Sequence, residues 1–227
     1  KTKYLPSLDH MMWNAPDGPE KSFDNDQKLI IKRTKISVNI VLRESDEIAK
    51  YELFQRLNTG GSNLTPQEVR NCIMVMINKN FQEWIFALAK YPQFQETIAL
   101  SQNNLDEQYD IELALRFLVF STLDLYQYNR SADVGDYLTD QMIIMAGNHE
   151  YAYEAMETRF KRTFDVIYTS LGNNAFRRYT DNSFKGGFLL SPYEVIAYGL
   201  GYNYPNFPQN EEIIKRTKNL YTNQTYN

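Results

Sequence analysis

Arg56, Asn58 and Thr59 stand directly ahead of the pair Gly60-Gly61 in the stretch YELFQRLNTGGSNLTPQEVRNCI (51–73). A guanidinium offers a rigid fork of donors to a phosphate or carboxylate. Two adjacent glycines let the backbone come close to a ligand with its N–H groups turned outward. A helix start placed just beyond them adds unsatisfied N–H groups that favour negative charge by about 0.3–1 kcal/mol. The chemistry suited to this spacing is the binding of an anion, phosphate above all. A plainer reading fits the same letters: the glycines only end one helix, and Arg56 pairs with Glu52 across one turn.

Two helices must hold that turn. Ile48, Tyr51, Phe54 and Leu57 recur at helical spacing over 45–57, and Asn58-Thr59-Gly60-Gly61 is a left-handed stop. The next helix opens at Thr65-Pro66-Gln67-Glu68 with an N-cap, a first-turn proline and the second half of a capping box. Its apolar stripe reads Val69, Cys72, Ile73, Met76 and Ile77, which leaves Gln67, Arg70 and Asn71 off the buried face. Those three are therefore expected to line the site or to buttress the turn, and Glu68 to buttress it through the cap.

The rest of the chain is organised around helices. Lys1 to Glu20 is irregular, with Pro6, Pro16 and Pro19 among aromatic and apolar residues; Asp24 caps a short helix through Leu29, Ile30 and Ile31. Alternation of Ile36, Val38, Ile40 and Leu42 with polar residues predicts a half-buried strand. A lone strand needs partners, so the fold is expected to be incomplete without another segment. From Pro66 onward the periodicity is helical: 66–77, a stripe at Phe81, Trp84, Ile85 and Leu88, an apolar run over 106–126 placed at the centre of a bundle, then 133–146, 150–171, 192–200 and 209–220. Ser191 and Glu194 repeat the capping pattern of Thr65 and Glu68, and Gly172 is a helix stop. The fold class is mainly α, with a first domain over 1–78 and a helical domain over 79–227.

Composition sets further bounds. The 227 residues are 43% hydrophobic and 14% aromatic, enough for a sizeable core. A net charge of −4 argues against a uniformly basic nucleic-acid coat but permits a local basic patch. Arg159, Lys161, Arg162, Arg177, Arg178, Lys215, Arg216 and Lys218 are the candidates for such a patch on DNA. One cysteine, Cys72, excludes an intrachain disulfide and fits a reducing cytoplasm. His10 and His149 lack metal-ligand spacing, and no phosphate-loop or dinucleotide glycine motif occurs. No metal site and no membrane partner are expected.

The block Phe54-Gln55-Arg56-Leu57-Asn58-Thr59-Gly60-Gly61, followed by Gln67-Glu68-Val69-Arg70-Asn71, resembles the signature of the GmrSD-type restriction family, the DUF262 domains. Thr34 to Val38, Glu44-Ser45, Asn174 to Arg177 and the Ser191 to Leu200 helix also resemble that family, over about residues 1–205. The resemblance implies a ParB/sulfiredoxin-like domain with an all-helical extension, of which residues 1–78 are the C-terminal remnant. It implies a cytoplasmic prokaryotic anti-phage defence protein that binds and hydrolyses nucleoside triphosphate with Mg2+, senses modified DNA and works beside an HNH nuclease domain. The family's Asp-Gly-Gln-Gln-Arg segment is not in this sequence and is expected upstream of Lys1. Phe54, Arg56, Asn58, Thr59, Gly60 and Gly61, with Gln67, Glu68, Arg70 and Asn71, would then be half of an active site, inactive and without nucleotide on its own. The alternative is a non-catalytic DNA-binding or assembly module using the helix-turn-helix at 46–78 and the basic residues named above.

Overall fold

Apolar residues on nearly every side of one helix decide where the core lies. A computed structural model of the chain describes residues 8–16, 18–35, 38, 64–123, 133–148 and 150–222. The chain divides into two units, Lys1–Ser45 and Asp46–Asn227. The strand expected over 36–42, except Val38, and the helix expected over 45–57 lie outside the described residues, as does the whole Phe54 to Gly61 block.

In the first unit, helix α1 (Asn25–Arg33) starts at Asp24, whose side chain accepts from the Gln27 N–H at 2.7 Å while Gln27 accepts from the Asp24 N–H at 2.9 Å. This capping box joins α1 to a segment in which Met12 pairs with Ser22 in a single parallel bridge. Lys28 and Lys32 sit 5.8 and 5.5 Å from the centre of the Trp13 ring, a cation–π arrangement. None of the α1 residues is buried.

The second unit is mainly α. Its described helices are α2 (Pro66–Ile77), α3 (Lys79–Ala89), α4 (Pro92–Ile98), α5 (Gln102–Asp106), α6 (Tyr109–Phe120), α7 (Val134–Gly147) and α8 (Tyr153–Leu171). A hairpin of β1 (Arg178–Thr180) and β2 (Ser183–Lys185) follows. The chain then enters α9 (Leu190–Tyr193), a π turn (Glu194–Tyr198), α10 (Gly199–Tyr202) and, after a loop, α11 (Asn210–Leu220). Helix α6 buries Asp110, Ile111, Leu113, Ala114, Leu115, Phe117, Leu118 and Val119 and packs against α2, α3, α5, α7, α8 and the π turn. A helix apolar all round belongs in the middle of its bundle.

Aromatic rings fill the space around it. Phe160 and Phe164 face inward from α8 one turn apart; Phe117 meets Phe160 edge-on at 5.3 Å, and Phe94 meets Phe164 edge-on at 4.7 Å. Edge-to-face pairs of this kind contribute about 0.5–1.5 kcal/mol beyond their burial. Tyr193 closes the cluster, its buried hydroxyl donating to the Leu113 carbonyl at 2.7 Å.

Four sequence expectations need correction. The run 106–126 is not one helix: α5 ends at Asp106, Gln108 takes a left-handed conformation (φ 60°), and α6 covers only Tyr109–Phe120. Ser191 is not a cap, because the helix begins at Leu190 and Leu189 makes no side-chain cap bond; Glu194 faces Arg116 instead. The hairpin at 178–185 was not anticipated. Asp181 and Asn182 both have positive φ (47° and 63°), the geometry that two-residue hairpins favour, but its three-residue strands are too short to show an alternating pattern. The fourth correction concerns α2 and bears on the site. Gly172 does stop α8, with φ 54°.

Candidate functional site

Helix α2 is fixed at its start by local chemistry. The Thr65 N–H donates to Glu68 Oε2 at 2.7 Å, and the Glu68 N–H donates to Thr65 Oγ1 at 3.2 Å. Pro66 occupies the first turn. A capped start fixes the first turn of the helix, with Glu68 Oε2 engaged in the cap.

The buried stripe of α2 is not the apolar one. Gln67, Arg70, Asn71 and Met74, spaced i, i+3, i+4, i+7, are buried together with Ile73, whereas Val75 and Met76 are exposed and Val69, Cys72 and Ile77 are half-buried. Local hydropathy selects the wrong face because the partners that make burial of these polar groups tolerable come from α6, far away in sequence. Gln67 donates to Asn71 Oδ1 at 2.8 Å, Arg70 Nε donates to Gln67 Oε1 at 2.9 Å, and Asn71 donates to Gln108 Oε1. The left-handed Gln108 at the head of α6 is thus tied directly to α2. Buried polar groups persist when they are paired in this way.

Arg70 carries the network onward. Its Nη2 donates to Glu112 Oε2, Arg116 Nε donates to Glu112 Oε1 at 2.8 Å, and Arg116 Nη1 reaches Glu194 Oε1 on the π turn at 3.5 Å. Side-chain exposure is 4% for Arg70, 13% for Glu112 and 12% for Arg116. Burial works to lower the Arg116 pKa, but the Glu112 charge and hydrogen bond outweigh it, and the guanidinium ends above its ordinary value. Burial raises Glu194, and Arg116 only partly offsets it. Tyr109, beside them, is raised by burial and then by Glu112.

Gln67, Arg70 and Asn71 of the Gln67-Glu68-x-Arg70-Asn71 string are therefore brought together, with Glu68 held in the cap, and the structure adds Gln108, Glu112, Arg116 and Glu194 to the three. Sequence analysis reads Glu194 only as a cap and does not single out Gln108, Glu112 or Arg116. One signal was available: Glu112 and Arg116 are an i, i+4 ion pair inside the apolar run IELALRFLVF, where lone surface charges would be out of place.

The basic candidates lie on α8, around the hairpin and on α11. On α8, Arg159 donates to the Ser121 carbonyl at 3.4 Å and lies over Tyr204, and Lys161 pairs with Glu157; Arg162 is exposed. Arg178 stands opposite Lys185 in the hairpin. Lys218 lies 5.3 Å from the Tyr179 ring centre, and the Arg177 carbonyl accepts from Tyr221 at 2.7 Å. Arg216 pairs with Glu212, and Lys215 is exposed on the same helix. Arg177, Arg178 and Lys218 thus share the hairpin region, and α11 packs against α8.

His10 lies 3.7 Å from Asp9, and His149 is outside the described residues. Among the described residues no three His, Cys, Asp or Glu side chains gather to hold a metal. No described helix is long and apolar enough to cross a membrane.

Cys72 offers a direct check on the α2 packing. Burial, and then the neighbouring Glu68 charge, raise its thiol pKa, and the thiolate is the reactive form. Alkylation by iodoacetamide near neutral pH should be slower in the native protein than for free cysteine, and should rise to the free rate in denaturant. Equal native and denatured rates would mean that this face of α2 is open. Compared with known proteins, the chain matches no family model, no curated protein and no solved structure.

Proposed function

We propose that this chain is the C-terminal portion of a prokaryotic anti-phage defence domain that binds and hydrolyses a nucleoside triphosphate and senses modified DNA. It supplies the Arg-Leu-Asn-Thr-Gly-Gly half of the site. The observation that carries the reading is the string from Phe54 to Asn71, in which an anion-binding turn is followed by a helix with defined polar residues.

Support comes from the arrangement of that helix. The cap at Thr65 and Glu68 stands four residues beyond Gly61, and Gln67, Arg70 and Asn71 anchor the helix to α6. An anchored helix is a suitable support for a phosphate site, whose donors need not reorganise when charge develops if they are held in place. In this reading Arg56 and the glycine N–H groups hold phosphate oxygens, Asn58 orients a base, a water or a neighbouring group, and an upstream segment supplies the hydrolytic acid and a second Arg. Gln67, Arg70 and Asn71 position the turn and do not touch the nucleotide.

The test is nucleotide binding by the full-length protein, followed by calorimetry. A charge-assisted hydrogen bond contributes about 1.5–3 kcal/mol, so Arg56→Ala should weaken binding by about tenfold to a hundredfold with the far-ultraviolet spectrum intact. Unchanged affinity overturns the assignment. DNA binding that weakens steeply with salt while no nucleotide binds would favour the non-catalytic module.

A further inference from the structure

The π turn lies between two clefts. One, about 490 Å3, is bounded by Val195, Leu200, Ile213 and Leu220, with Arg216 among its lining residues. The other, about 460 Å3, is lined chiefly by Phe120, Val134, Glu194, Tyr198, Gly199 and Tyr202. Both volumes fall within the range of small-molecule sites. Only the second joins stacked rings to a carboxylate with acceptor capacity to spare, and π turns recur at functional sites.

Two of its rings, Phe120 and Tyr198, are stacked. Tyr198 stacks on Phe120 at 5.3 Å with an interplanar angle of 29°, and Phe120 stacks on Tyr137 at 6.0 Å with the same angle. Tyr202 is 62% exposed on the next turn. Glu194 is the charged side chain of the lining. One of its oxygens takes a long contact from Arg116, whose shorter bond goes to Glu112, and its Oε2 accepts nothing among the described residues. An aromatic wall with one open acceptor suits a flat ring that can donate from its edge. A cation is disfavoured, because Arg116 already stands against the carboxylate and because cation-binding cages place rings around the charge instead of in a parallel stack.

We propose that this cleft binds a planar heteroaromatic ligand with N–H donors on its edge, of the nucleobase class, by extending the ring stack at Tyr198 and Tyr202 and donating to Glu194. No residue named for this cleft belongs to the glycine turn, and the proposal does not rest on the nucleotide-hydrolysing reading.

Adenosine is the probe, and purine riboside, which lacks the amino group, is its control; binding to the whole chain is followed by saturation-transfer NMR and calorimetry. Saturable adenosine binding is expected, with purine riboside weaker by about tenfold, the loss of one hydrogen bond to a charged group. Base stacking on an aromatic side chain accounts for about tenfold or more in affinity, so Tyr202→Ala should lose at least that much; this exposed residue can be truncated without opening the core. Gly199→Leu, built where an added Cβ meets nothing within 4 Å, should block the cleft. Arg56→Ala should leave adenosine binding unchanged. Absence of saturable binding up to the solubility limit overturns the proposal, as does equal affinity for the two nucleosides, indifference to Tyr202→Ala, or tetramethylammonium binding more tightly than adenosine. Binding abolished by Arg56→Ala but not by Tyr202→Ala would place the ligand at the glycine turn and end the claim for this cleft, while a failure here leaves the Arg56 result for the full-length protein untouched.

Discussion

Glu112→Ala is expected to cost the helical unit about 3–5 kcal/mol, the usual penalty for breaking a buried ion pair by removing one partner. Glu112 accepts from Arg70 with one oxygen and from Arg116 with the other. Its loss removes a carboxylate shared by two guanidiniums at 4% and 12% side-chain exposure. Against a typical total of about 5–15 kcal/mol, that is roughly a fifth of the stability or more. Urea unfolding of Glu112→Ala against the parent measures it directly; a loss below about 1 kcal/mol, the scale of a surface pair, would refute the network as described. Replacing Arg70, Glu112 and Arg116 together with Met, Leu and Met should recover much of the loss, since apolar isosteres of a buried ionic cluster are often neutral or better. A stable triple variant in which Arg56-dependent nucleotide binding had nevertheless fallen would separate the positioning role of the network from its contribution to folding.

That network marks the boundary between what local sequence could disclose and what it could not. The caps at Asp24 and Thr65 were legible because every participating atom lies within four residues, and Gly172 was legible because few residues other than glycine accept its conformation. The central place of α6 followed from apolar residues on all its faces. The polar stripe of α2 was hidden for the opposite reason: Gln67, Arg70 and Asn71 are acceptable inside the protein only because Gln108 and Glu112 arrive from another helix. Ser191 misled in the same way, since a serine followed three positions later by a glutamate is a capping signal only while the glutamate is free. Here Arg116 draws Glu194 into the charged network. The break between α5 and α6 depends on one residue, Gln108, in a left-handed conformation that a glutamine does not advertise. Of the proposed site, Arg56 and its glycine turn are read from the sequence alone and fall outside the described residues, and the structure describes the helix that follows them in the chain.

Gly201 and Gly199 make the second large prediction, and its strength lies in comparing them. Both are in α10, and Gly199 has ordinary helical angles (φ −62°, ψ −44°). An added Cβ at Gly199 meets nothing within 4 Å, but at Gly201 it would sit 2.7 Å from two Phe117 ring carbons and 2.7 Å from Ser121 Cβ. Phe117 cannot yield easily, because it is fully buried and locked edge-on against Phe160; Ser121 is the C-cap of α6. Alanine in place of glycine reduces the entropy of the unfolded chain by nearly the same amount at both positions, so the difference between the variants reports the folded state alone. Gly199→Ala should stabilise the protein by up to about 1 kcal/mol. Gly201→Ala should destabilise it by about 1–3 kcal/mol through overpacking. Thermal and urea unfolding of the two variants side by side should therefore give midpoints displaced in opposite directions. Displacement in the same direction would show that α10 does not press on α6 at Phe117, and the packing that sets the π turn beside Arg116 would have to be redrawn.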